Sequence, residues 1–147
     1  MDTAVEIATR AHAGQVDKTG TTPYIRYPLA VAARVQGHDA KIVAILHDVL
    51  EDTSVTIDEL RAAGATEAQL RALVAVTRKP DEPYLDAVAR AIADPIGCLV
   101  KIADHEDNND EARLVKLPPG EANRLRRKYA EVAPLIEHAR RSARGPG

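Results

Sequence analysis

Residues 42–52 read IVAILHDVLED, and their polar positions recur with a helical period. At about 100° per residue, His47, Asp48, Glu51 and Asp52 fall within one arc of roughly 140°. Ile42, Val43, Ile45, Leu46, Val49 and Leu50 fill the rest of the circumference. A helix that is apolar over so much of its surface is buried, so this one carries four ionisable groups against the core. Unpaired charges there are costly, and a divalent metal is one compact counter-charge, since His and neighbouring Asp supply nitrogen and oxygen donors. On spacing alone, a helix-end salt bridge or a solvated face reads equally well.

The same pattern predicts about seven further helices. Asp2 or Thr3 caps the first, which runs to about Ala13 with Val5, Ile7, Ala8 and Ala11 inward and Gly14 at its end. Residues 15–28, QVDKTGTTPYIRYP, form an ordered loop. Pro28 opens a second helix that Gly37 stops, and Asp39 caps the central one. Thr56 and Glu59 match a capping box before a short helix closed by Gly64. Thr66 caps the next, with Leu70, Leu73, Val74 and Val76 inward. After a charged turn at residues 78–83, a helix spans Tyr84 to Ala93, and Asp94-Pro95 begins another that carries Leu99, Val100, Ile102 and Ala103. Pro118, Pro119 and Gly120 precede a long helix from about residue 121 to 140, and residues 136–147 are expected to form a frayed tail. No strand-like alternation of useful length occurs. The expectation is all-α: a single helical bundle of about eight helices.

Composition narrows this picture. A chain of 147 residues makes one domain of ordinary size. With four Tyr and neither Phe nor Trp, the core must be Ala, Val, Leu and Ile. A net charge of −2 gives no case for a nucleic-acid or anionic-membrane partner. The basic residues Arg124, Arg126, Arg127, Lys128, Arg140, Arg141 and Arg144 read mainly as a solvated helix face. One cysteine, Cys98, excludes an internal disulfide framework. With no signal-peptide h-region and no run of membrane-spanning length, a soluble, cytoplasmic protein is expected.

A second polar cluster sits inside an apolar run, VKIADHEDNN. Lys101, Asp104 and Asn108, at i, i+3 and i+7, share one face. Asp104 from this helix could meet His47 and Asp48 from the central one.

Three stretches now stand in order: AHAGQVDKTGTTPYIRYPLAVA, LHDVLEDT and VKIADHEDN. Together they resemble the HD-domain metal-dependent phosphohydrolases, in the branch that hydrolyses the guanosine tetra- and pentaphosphate alarmones. The resemblance implies an all-α fold with one metal, usually manganese, held by two His and two Asp. By position, His47, Asp48 and Asp104 would be three of its ligands. Glu51 and Asp52 would orient and deprotonate the attacking water, Glu51 with a proton affinity raised by like charges and burial. Lys18 falls at the guanine-contacting position, Tyr24 lies in the same nucleotide-holding loop, and Asn108 falls at the sugar or phosphate contact. Arg78 or Lys79 is a candidate for distal phosphates.

Two residues depart from the family pattern. Tyr27 stands where a ligand His precedes the helix proline, and Asp17 stands where the base-contacting loop often has Arg. A free phenol, with a pKa of about 10, is a poor ligand at neutral pH. His12 and His105 read as surface or supporting groups rather than replacements. Three functions follow: a 3′-pyrophosphohydrolase of the alarmones, an HD hydrolase of another nucleotide or phosphoester, or an impaired nucleotide-binding protein. The partner expected is a small-molecule nucleotide substrate, with no nucleic acid or membrane, and the oligomeric state is left open.

Overall fold

A computed structural model describes residues 2–16 and 23–143; the expectations for Asp17 and Lys18 lie outside the described residues. Among the latter the chain forms ten helical segments: α1 (Asp2–Ala11), α2 (Arg26–Ala33), α3 (His38–Leu46), α4 (Val49–Asp52), α5 (Ile57–Ala62), α6 (Glu67–Val76), α7 (Tyr84–Ala93), α8 (Pro95–Asn108), α9 (Glu111–Leu114) and α10 (Pro119–Ala143). Their pairing bears out the all-α expectation, and Val16 opposite Pro23 forms an isolated antiparallel bridge.

The core is built around α3. Val43, Ala44, Ile45 and Leu46 pack with Ala8, Val31, Leu60, Leu70, Leu73 and Val100. Small side chains let helices approach closely, and no aromatic ring is needed to fill the centre. Two smaller clusters fix α10: Leu125 and Tyr129 with Leu114 and Leu117, and Val132 and Ile136 with Val88. Leu73 is fully buried, so Leu73→Ala should cost about 2–5 kcal/mol through lost burial and a residual cavity. Urea unfolding would show it as a lower midpoint at unchanged slope.

Several local expectations are corrected. The central helix is broken, since α3 ends at Leu46 and α4 begins at Val49. His47 and Asp48 between them keep right-handed helical dihedrals, so their side chains and those of Glu51 and Asp52 still project to one side. The His47 ring takes the Ala44 carbonyl at 2.5 Å, competing with the backbone ladder at that turn.

Asp39 is not the cap of α3. Gly37 holds that position at φ 97°, while Asp39 accepts a hydrogen bond from Gln69 Nε2 at 2.8 Å. The full capping box belongs to Thr66 and Gln69; at Thr56 the hydroxyl accepts from the Glu59 amide without the reciprocal backbone bond. Val74, expected inward, is 50% exposed. It sits one helical step outside the buried edge set by Leu73. The segment expected to fray from residue 136 is helical through Ala143, with Ile136 and Ala139 buried.

Candidate active site

The site forms where the α3–α4 break faces α8. The Ala44 carbonyl accepts from His47 Nδ1, which leaves Nε2 with its lone pair directed inward. That Nε2 is buried without a hydrogen-bond partner. It lies 3.2 Å from Asp48 Oδ2 and 3.7 Å from Asp104 Oδ1. Three electron-rich atoms at these distances need a cation among them, either a proton on Nε2 or a metal ion.

Hydrogen bonds fix both carboxylates. Asp48 Oδ2 accepts from the Tyr24 hydroxyl at 2.6 Å. Burial, with Asp48 adding, holds the Tyr24 phenol far above its ordinary pKa, so it stays a donor. The Tyr27 hydroxyl and Asn108 Nδ2 both donate to Asp104 Oδ1, and Asn108 also reaches the Tyr27 oxygen at 2.5 Å. Lys101 donates to Asp104 Oδ2 at 3.0 Å. Burial, reinforced by Asp107, pushes the Asp104 carboxyl up to about 7. Burial, with Lys128 and Arg78 adding, draws Lys101 down to about 8.

Tyr27 is held from both sides. Its ring centroid is 5.6 Å from that of His47, and the Arg113 guanidinium carbon lies 4.6 Å from its centroid. Arg113 is anchored to Asp107 at 2.6 Å, and Asp107 also accepts from Arg34 at 3.3 Å. His12 is not a surface group. It is buried against Tyr24 with ring centroids 4.9 Å apart, and its Nδ1 meets Gln15 Oε1. His105 is buried too, edge-on to Tyr129.

Glu51 and Asp52 stand on α4 with solvent access. Burial raises the proton affinity of each; Asp52 and Asp48 add to the rise at Glu51, and Asp48 to that at Asp52. They share one pocket with Tyr24, Tyr27, His47, Asp48, Asp104 and Asn108, so the described candidates from the sequence meet in one place. Of the proposed phosphate contacts, Arg78 lines this pocket, whereas Lys79 lines an adjoining groove that shares Glu51 and Arg78 with it.

Lys101, expected on the Asp104 face, lines the opposite wall, and sequence reasoning missed the other residues there: Tyr84, Arg113, Lys128 and Tyr129. Lys128, placed among solvated residues, flanks the buried stripe Leu125, Tyr129 and Val132. That position is the signal that would have found it.

Among the described residues, no three His, Cys, Asp or Glu side chains are arranged to hold a metal ion as they stand. The Tyr24 and Tyr27 hydroxyls occupy the carboxylate oxygens that would turn towards it. The donor set itself fits one. A fixed imidazole lone pair without a partner and two carboxylates make an oxygen-rich three-donor site of the kind Mn²⁺ or Mg²⁺ completes with water.

No family model matches the chain. It is 31% identical to a probable GTP pyrophosphokinase of Mycobacterium leprae, over 92% of this chain and 18% of that protein. It is 35% identical to a guanosine-3′,5′-bis(diphosphate) 3′-pyrophosphohydrolase of Aquifex aeolicus, over 71% of this chain and 16% of that one. The human guanosine-3′,5′-bis(diphosphate) 3′-pyrophosphohydrolase MESH1 is 36% identical, over 69% of this chain and 63% of its own length. The chain thus spans only 16% to 18% of these two bacterial relatives. A solved structure described as a metazoan ortholog of SpoT that hydrolyzes ppGpp shares the fold. Its TM-score is 0.73 at 22% identity, over 92% of this chain and 82% of that one. The chain belongs to the HD-domain phosphohydrolase family, in the branch of the guanosine-3′,5′-bis(diphosphate) 3′-pyrophosphohydrolases.

Proposed function

We propose that the chain hydrolyses the 3′-diphosphate ester of guanosine-3′,5′-bis(diphosphate), or of a closely related nucleotide, and releases pyrophosphate. The observation that carries this reading is His47 Nε2, buried and unpartnered between two carboxylates. Beside it stand Glu51 and Asp52 with raised proton affinity, and the names of the relatives supply the substrate.

In this reading His47, Asp48 and Asp104 hold a divalent ion, with manganese the choice that the family resemblance implies. Such an ion, when bound, acidifies a water and offsets phosphate charge. Glu51 takes the proton of the attacking water, and Asp52 beside it keeps that proton affinity high. The water oxygen bonds to the ester phosphorus, the bond from phosphorus to the sugar oxygen breaks, and the proton passes to the sugar oxygen. Tyr24 orients Asp48, while Asn108 faces the nucleotide. Lys18 is assigned to the guanine base by resemblance alone. No described helix is long and apolar enough to cross a membrane, and a cytoplasmic location belongs to the same proposal.

A second reading, a nucleotide-binding protein without turnover, is favoured by the Tyr27 hydroxyl on Asp104. Pyrophosphate release from a panel of guanosine and adenosine diphosphate esters in Mn²⁺ separates the two. Wild type should release it, and Asp48→Asn should lose both turnover and Mn²⁺ binding. Nucleotide binding without release at any Mn²⁺ concentration would favour the second reading.

A further inference from the structure

We infer that Arg113, clamped by Asp107, is a positioning residue: it seats the Tyr27 hydroxyl on Asp104, so that a divalent ion must displace residue 27 to take that carboxylate. This rests on the proposed reading in one respect, that Asp104 is a ligand.

The helix that carries Arg113 has only four residues, yet it is fixed at both ends. At its start, the Asp110 side chain accepts from the Ala112 amide at 3.0 Å. At its end, Leu114 is buried with Leu117, Leu125 and Tyr129. From this footing the Arg113 guanidinium carbon lies 4.6 Å from the Tyr27 centroid, and Nη1 donates to Asp107 Oδ2 at 2.6 Å. Asp107 is buried on α8, one turn after Asp104. Its other oxygen accepts from Arg34 at 3.3 Å, and Arg34 caps the end of α2, two turns after Tyr27. The carboxylate that clamps Arg113 therefore also ties down the helix that carries Tyr27.

Neutralising Asp107 does not require a contact with Tyr27, since Arg34 already brings it a guanidinium. Arg113 nonetheless lies over the ring and lines the pocket. A guanidinium is attracted to a phenol face and stacks flat on it. The His47 ring packs against the same phenol, with centroids 5.6 Å apart. The ring so held directs its hydroxyl at Asp104 Oδ1, where the Asn108 amide meets both oxygens. Oδ1 is the oxygen 3.7 Å from His47 Nε2, and Oδ2 is taken by Lys101. An ion between His47 and Asp104 thus meets the Tyr27 hydroxyl first. Loosening the ring makes that hydroxyl easier to displace.

Calorimetric titration with Mn²⁺ alone, on a double-mutant cycle, tests this. Wild type, Arg113→Met, Tyr27→Phe and the double variant are compared, with thermal unfolding in chelator as the fold control. Arg113→Met should tighten Mn²⁺ binding by about threefold to tenfold, the scale of one cation–ring contact. In the Tyr27→Phe background, which lacks the hydroxyl, the same change should do far less. Equal gains in both backgrounds would mean that Arg113 acts on the ion only through its charge, and would overturn the inference. So would no gain at all, or a Mn²⁺ affinity that Asp104→Asn leaves unchanged. If Arg113→Met does not fold, Arg113→Lys keeps a cation beside Asp107, gives up the flat stack, and should show the same coupling on a smaller scale. Coupling in a protein that turns over no ester would keep the role of Arg113 and discard the hydrolase reading. Turnover with no coupling between residues 27 and 113 would do the reverse.

Discussion

Glu51→Gln should lower turnover of the diphosphate ester by about 10²–10⁴-fold, the span of a lost general acid–base group, and leave Mn²⁺ affinity unchanged. Glu51 lies on α4, one turn beyond the His47–Asp48 break, and keeps solvent access at the pocket. Burial and its neighbours Asp52 and Asp48 raise its proton affinity. A carboxylate raised in this way accepts a proton from water more readily than an ordinary one. It carries that proton until the sugar oxygen needs it. The amide of Gln has nearly the same shape and cannot take the proton, so binding should survive where turnover does not. Asp48→Asn is the contrast, since its loss should appear in both. Identical metal titrations for the two variants would mean that the division between ligand and proton carrier is wrong.

Tyr27→His should tighten Mn²⁺ binding by about tenfold, the effect of roughly 1.4 kcal/mol from one recovered ligand. Tyr27 sits in the first turn of α2, its hydroxyl on Asp104 Oδ1 and its ring beside His47. A phenol there must lose its proton before it can ligate, whereas a neutral imidazole offers a lone pair at once. The substitution also frees Asp104 Oδ1 from the hydroxyl that now occupies it. One feature opposes the gain: the Arg113 guanidinium lies 4.6 Å from the ring of residue 27 and disfavours added positive charge. The expected increase is therefore moderate. Weaker or equal binding, read by calorimetry, would show that Tyr27 is itself a competent donor or that residue 27 does not reach the ion.

The sequence made the bundle legible because apolar positions in α3, α6, α7 and α10 recur with a clear helical period. It also made Asp104 legible, as a carboxylate enclosed by Val100, Ile102 and Ala103. The break at His47 and Asp48 was not legible. Their dihedrals stay helical, and the interruption comes from a side-chain bond to Ala44 that periodicity does not carry. α9 has four residues, fewer than a repeat needs to show itself. The opposite wall of the pocket was legible only in part. Arg78 and Lys101 already stood out in the sequence, one as a phosphate candidate and one on the Asp104 face, but Lys128 taken singly reads as an ordinary solvated charge. Only the packing of α7, α8 and α10 gathers them round Tyr84.

Product analysis in water labelled with heavy oxygen, with Mn²⁺ and guanosine-3′,5′-bis(diphosphate), tests most directly whether this pocket cuts a diphosphate ester at its ester phosphorus. Mass spectrometry should find the label in pyrophosphate and an unlabelled nucleotide with a free 3′-hydroxyl. Label in the nucleotide hydroxyl, orthophosphate as the first product, or no product at any Mn²⁺ concentration would contradict it.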